Sequence, residues 1–111
     1  MATLSSHLLN SVNGTHANNV DVIIYQIKSN GEKKVFCEAK TDSGGRVLKE
    51  FKLNDEDCKS EYEMVCKTGD YFSEKKIVSE IIVKFKMPDP NKKYHIPIII
   101  SPNGYSIWWS D

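Results

Sequence analysis

A chain of 111 residues with 40% apolar side chains is long enough to bury a core without disulfide or metal staples, which predicts a single domain over 1–111. Its 15 basic and 15 acidic residues cancel, which removes the electrostatic case for nucleic acid or an anionic membrane as partner. No apolar run approaches the roughly 20 residues of a spanning helix, and Met1 to His7 lacks the charged start and apolar stretch of a signal peptide.

The first segment, residues 4 to 12, carries His7 flanked by Leu4, Leu8, Leu9 and Val12. Asn13-Gly14 and Asn18-Asn19 mark turns. Val20 to Ile27 is rich in β-branched residues and alternates loosely, which predicts a strand with one well-buried face. Ser29-Asn30-Gly31-Glu32 is a hairpin signal, and Lys34 to Lys40 is the returning strand. Simple alternation there puts Val35, Cys37 and Ala39 on one face and Phe36, Glu38 and Lys40 on the other. The tight loop Thr41-Asp42-Ser43-Gly44-Gly45 delivers Arg46 to the head of a strand at Val47 to Leu53.

Asn54 to Ser60 is acidic and predicts a loop or at most one helical turn. Tyr62 to Lys67 alternates again, before a turn at Thr68-Gly69-Asp70 and the pair Tyr71-Phe72; Ser73 to Ser79 could form a short helix. Ile81, Val83, Phe85 and Met87 line one face of the next strand, with Lys84 and Lys86 on the other, until Pro88 and Pro90 break it. Tyr94 to Ile100 and Tyr105 to Trp109 form the last two strands. Seven or eight short strands with almost no helix describe a β-sandwich. The two tryptophans close to the C-terminus, Trp108 and Trp109, predict a tail docked in the core, an interface or a pocket, since unanchored tails are polar and frayed.

Chemistry has few candidates. Cys37, Cys58 and Cys66 are an odd, widely spaced set that fits neither a disulfide framework nor a zinc pattern, and they read as reduced thiols of a cytoplasmic protein. Gly-rich phosphate loops, a Gly-x-Ser-x-Gly elbow and a His-x-x-x-His pair are all missing, and no metal site is expected. Asn13-Gly14-Thr15 matches a glycosylation acceptor by chance. Of three histidines, His7 lies among leucines, His95 opens the most apolar strand, and His16 in its polar turn reads as plain surface. For His7 and His95 a hydrogen-bonded structural role competes with a chemical one, and for Arg46 a solvated one does. Taken together, two imidazoles could move protons near neutral pH while a guanidinium grips carbonyl or enolate oxygens of a flat anionic molecule.

Four motifs carry a resemblance. Leu4-Ser5-Ser6-His7-Leu8-Leu9-Asn10 is similar to the Leu-Ser-Thr-His-Val-Leu-Asp motif of the 5-hydroxyisourate hydrolases, the transthyretin-related enzymes of urate breakdown. Thr41 to Arg46 resembles their Thr-x-x-Asp-Gly-Arg loop, and Thr68 to Phe72 their Thr-Gly-x-Tyr-Phe turn. Tyr94 to Pro102 resembles their Tyr-His-Val-Pro-Leu-Leu-Leu-Ser-Pro signature. The resemblance implies an all-β, transthyretin-like sandwich of two four-stranded sheets with at most one short helix, assembled as a homotetramer with sites at the dimer–dimer interface. It implies hydrolytic ring opening of 5-hydroxyisourate to 2-oxo-4-hydroxy-4-carboxy-5-ureidoimidazoline, without metal or organic cofactor. His7, Arg46 and His95 then fall on catalytic positions, and His7, Arg46 and Trp108 on substrate-binding ones. The family's terminal Tyr-Arg-Gly-Ser is replaced by Trp108-Trp109-Ser110-Asp111, and its motif aspartate by Asn10. That altered tail raises an alternative, a non-catalytic transthyretin-like carrier holding a planar aromatic ligand in the tetramer channel. Some relatives are peroxisomal, but no Ser-Lys-Leu-type address is present, so the expectation stays cytoplasmic.

Overall fold

A computed structural model describes residues 1–72 and 77–109. The strands are β1 (Ala2–Asn10), β2 (Thr15–His16), β3 (Asp21–Ile27), β4 (Lys33–Lys40), β5 (Arg46–Phe51), β6 (Glu61–Cys66), β7 (Ile81–Lys86), β8 (Lys93–Ser101) and β9 (Gly104–Ile107). They form two sheets that face each other across the core. One runs β2-β1-β8-β9 with β5 also paired to β1, and the other runs β4-β3-β6-β7. The expected pair of four-stranded sheets is therefore five and four, the extra strand being the two-residue β2. All pairings are antiparallel except β1 with β8, which run parallel and join residues about 90 positions apart, as in Ser5 opposite His95.

Strict alternation along β1 buries Ala2, Leu4, Ser6, Leu8 and Asn10 and turns Thr3, Ser5, His7 and Leu9 to the other face. Ser6 tolerates its core position because its hydroxyl donates to the Ile96 carbonyl at 2.7 Å. From the facing sheet Val22, Ile24, Tyr62, Met64, Ile81 and Met87 complete the core, with Phe36 and Phe85 packed on Tyr62 and Phe51 on Phe36. Pro97 sits inside a ladder that normally excludes proline. Its carbonyl points toward the β9 side, where it receives only the Trp108 N–H beyond the end of β9, so the missing proline N–H falls where that ladder stops.

Two local expectations change. In β4 the register slips, with Ile24 opposite Cys37 but Tyr25 opposite Val35, so Phe36 is an extra residue at a bulge. The bulge moves Phe36 inward beside Cys37 and Ala39 and leaves Val35 half exposed, against the simple alternation expected there. The acidic stretch is one short helix, α1 (Asp55–Lys59), because Asn54 and Asp57 form a reciprocal capping box. Residues 68–70 make a 3₁₀ turn. The possible helix over Ser73 to Ser79 lies mostly outside the described residues.

Candidate active site

The outward face of β1 is where the candidate residues meet. His7 stands opposite Arg46 of β5 on one side and Pro97 of β8 on the other, while Ser5 stands opposite His95. Leu4 and Leu8, its sequence neighbours, point the other way into the core, so His7 belongs to a half-exposed polar face and not to a leucine cluster.

Each side chain has its own support. The Ser5 hydroxyl hydrogen-bonds Nδ1 of His95 at 2.8 Å, which fixes that ring and leaves Nε2 turned away from the strand. Nε2 of His7 lies 2.9 Å from Nδ1 of His16, their ring centroids 5.0 Å apart. Arg46 is held by its loop. One Asp42 carboxylate oxygen accepts the backbone N–H groups of both Gly44 and Arg46 at 2.9 Å. Gly45 adopts φ +72° and its carbonyl takes the Leu8 N–H at 2.8 Å, tying the loop to β1 beside His7. The Thr41 hydroxyl accepts from the Val20 N–H and donates to the Ala17 carbonyl, both at 2.8 Å, which locks the segment after His16 to the same loop.

These contacts set the charges. Burial holds the His7 imidazole below its ordinary pKa, helped by the Arg46 guanidinium, then His16 and, least, His95; a backbone hydrogen bond to Gly44 opposes them. Asp42 stays below the usual carboxylate range, chiefly because it accepts the Arg46 N–H. The face therefore offers one fixed cation and an imidazole kept neutral near pH 7, a combination suited to proton transfer beside a developing oxyanion.

Three of the expected residues, His7, Arg46 and His95, thus share one face. Trp108 borders an apolar cleft of about 350 Å³ with Trp109, Ile107, Ile96, Val83 and Phe85, while its backbone N–H donates to the carbonyl of Pro97, the residue opposite His7 on β8. Trp109 packs on Tyr94 (ring centroids 5.8 Å), so the tail is docked there, although both tryptophans remain about half exposed; Ser110 and Asp111 lie outside the described residues. Sequence reasoning missed Ser5 and His16. The signal for His16 was available, since Asn13-Gly14 turns the chain so that His16 pairs with Leu9.

The other motif residues build the frame. Asn10 accepts the Val12 N–H and donates to the Tyr71 hydroxyl at 3.3 Å, so the first motif meets the third. The Tyr94 hydroxyl accepts from the Asp89 N–H and donates to the Asp89 carbonyl, pinning the start of β8. Among the described residues no three His, Cys, Asp or Glu side chains are grouped to hold a metal ion, and no helix is long and apolar enough to cross a membrane.

The HIUase/Transthyretin family profile matches residues 4–109. The chain belongs to that family. Within it, a 5-hydroxyisourate hydrolase of Halalkalibacterium halodurans is 30% identical, covering 95% of this chain and 94% of its own length. One of Salmonella dublin is 34% identical over 95% of this chain and 78% of its own length. The folds agree. A Klebsiella pneumoniae 5-hydroxyisourate hydrolase superposes with a TM-score of 0.77 at 22% identity, each chain covered in full. Sea bream transthyretin superposes at 0.83 with 20% identity over 96% of this chain and 93% of its own. This HIUase/Transthyretin chain keeps the two-sheet frame common to both.

Proposed function

We propose that this chain hydrolyses 5-hydroxyisourate, opening its ring to the ureido-imidazoline product in urate breakdown, with His7, Arg46 and His95 as the working residues. The observation that carries the reading is the convergence of those three side chains, 39, 49 and 88 positions apart pairwise in sequence, on one sheet face. With Nδ1 of His95 engaged by Ser5, its Nε2 is the nitrogen left to take a proton from water. The resulting hydroxide adds to a ring carbonyl, and the Arg46 guanidinium holds the oxygen as it gains charge. The ring C–N bond then breaks, and its nitrogen recovers the proton from the imidazolium. Arg46 also supplies substrate binding, as does His7.

A small molecule is held in a concave site, which an outward sheet face gains when another surface covers it. The face carries Leu48, 65% exposed, opposite Ser5 on β1, with His95 on the other side of Ser5. A homotetramer in which a second copy covers this face would supply the missing walls and bring a neighbour's Trp108 to the substrate; the compartment proposed is the cytoplasm. The carrier reading draws on the tryptophan cleft, but the relatives at 30–34% identity bear hydrolase names, whereas the transthyretin likeness at 20% speaks to fold alone. The test is the absorbance decay of freshly generated 5-hydroxyisourate. Micromolar protein accelerates it if the proposal holds, and decay no faster than in buffer removes it.

A further inference from the structure

His16 lies outside the four motifs, yet the fold aims it at His7. Its strand β2 is only two residues long, but the backbone is clamped on both sides. The following Ala17 N–H donates to the Leu8 carbonyl at 2.9 Å, and the Ala17 carbonyl accepts from Thr41. The Arg46 loop also abuts it, since a Cβ placed on Gly45 would lie 3.2 Å from Cβ of His16. An exposed side chain on a clamped backbone, meeting another imidazole nitrogen at 2.9 Å, is an oriented partner.

An N···N contact of that length needs one hydrogen between the rings. Nε2 of His7 faces His16, which leaves Nδ1 for the Gly44 backbone. With the His7 proton on Nδ1, its Nε2 accepts the Nδ1–H of His16, whose own Nε2 is the outer lone pair. One added proton at that outer nitrogen leaves the bridge intact. A second would set N–H against N–H and break it. The groups that face this pair are Arg46 from β5, His95 from β8 and Asp42 from the preceding loop, two of them able to oppose a further positive charge and one to favour it.

We infer that His16 is a positioning residue of this site, which holds the His7 ring in one orientation and one tautomer through the contact between their ring nitrogens. Its catalytic consequence rests on the hydrolase reading, but the pair itself does not. Two measurements therefore test it. In NMR spectra of the ring nitrogens of the whole protein, the His7 ring holds one tautomer, and His16→Ala leaves it a mixture of the two. In kinetics, His16→Ala moves the acid limb of the kcat/KM profile and lowers kcat about 10-fold with KM little changed, a fraction of what general acid–base catalysis supplies. His16→Asn, whose amide nitrogen can stand where Nδ1 stood, restores kcat. A His7 tautomer that His16→Ala leaves unchanged, or an unchanged pH profile in His16→Ala, overturns the inference. A His16-dependent His7 tautomer in a protein without turnover would sustain the positioning role and overturn the hydrolase reading instead.

Discussion

Gly45 is where the backbone and the candidate site depend on each other most closely, and Gly45→Ala tests that dependence. A Cβ there would lie 2.5 Å from the Leu8 carbonyl oxygen and 3.1 Å from the Ala17 nitrogen, at φ +72°. The left-handed backbone alone costs an alanine about 1–2 kcal/mol. Relieving the overlap means moving either the Arg46 loop or β1, a further cost of about 1–3 kcal/mol by analogy with overpacked cores. Gly31→Ala is the matched control, because Gly31 has φ +87° but nothing within 4 Å of its would-be Cβ. Both variants carry the conformational cost, so the difference between them isolates the close approach. At roughly 4 °C per kcal/mol for a domain of this size, thermal melts should place Gly45→Ala about 4–12 °C below Gly31→Ala at matched protein concentration. Turnover should fall only in Gly45→Ala, since only that substitution shifts Arg46 relative to His7. Equal melting temperatures with equal activity would refute the claim that this contact holds the site together.

Arg46→Ala and His95→Ala should each lower kcat/KM at least about 100-fold if they stabilise charge and move protons as proposed, read from the same absorbance decay. Ser5→Ala frees Nδ1 of His95 and should reduce kcat while leaving the melting temperature almost unchanged; Ser5→Thr, which keeps the hydroxyl, should recover it. His7 is held below its ordinary value, so the fold favours the neutral ring. Its contribution is complete above the ordinary imidazole pKa of 6.5 and is lost as pH falls below that value toward the lowered one. The urea midpoint should therefore drop between pH 7.5 and 5.5, and drop less steeply in His7→Asn. Burial pushes the Cys66 thiol up to about 12, so thiol reagents at pH 8 should leave Cys66 unmodified until the protein is unfolded, while partly exposed Cys58 reacts.

Where strands were legible in the sequence, the signal was apolar alternation, and where it failed a particular residue broke the period. β7 reads directly because Ile81, Val83 and Phe85 turn inward against outward Lys84 and Lys86. β1 gave no such signal, because Ser6 and Asn10 occupy inward positions that apolar residues normally fill. Each is satisfied there by a long-range hydrogen bond, to Ile96 and Tyr71, that no local window contains. The Phe36 bulge hid the true face of β4 for a different reason, as one extra residue inverts every later assignment. The convergence of His7, Arg46 and His95 was beyond any periodicity argument. It depends on β1 pairing with β5 and with β8, and only the motif resemblance anticipated it.

The motifs, in turn, mix two kinds of residue that only the fold separates. Thr68-Gly69-Asp70-Tyr71-Phe72 matches the family as well as the histidine motifs do, yet none of its described contacts reaches the outward face of β1. Gly69 is there because its N–H donates to the Ser79 carbonyl and a Cβ would come within 2.7 Å of that oxygen, and Tyr71 because its hydroxyl accepts from Asn10. Thr41 and Gly45 likewise set backbone position, whereas Arg46, one residue further, presents its side chain. Ser5, an unremarked position within the first motif, proves to orient His95, and His16 lies in no motif at all. A motif match thus identifies the frame, and the alternation of a strand across its two faces decides which members of the motif can touch a substrate. In this chain that face holds two imidazoles, a guanidinium and a serine from the matched motifs, and one further imidazole that the Asn13-Gly14 turn brings to them.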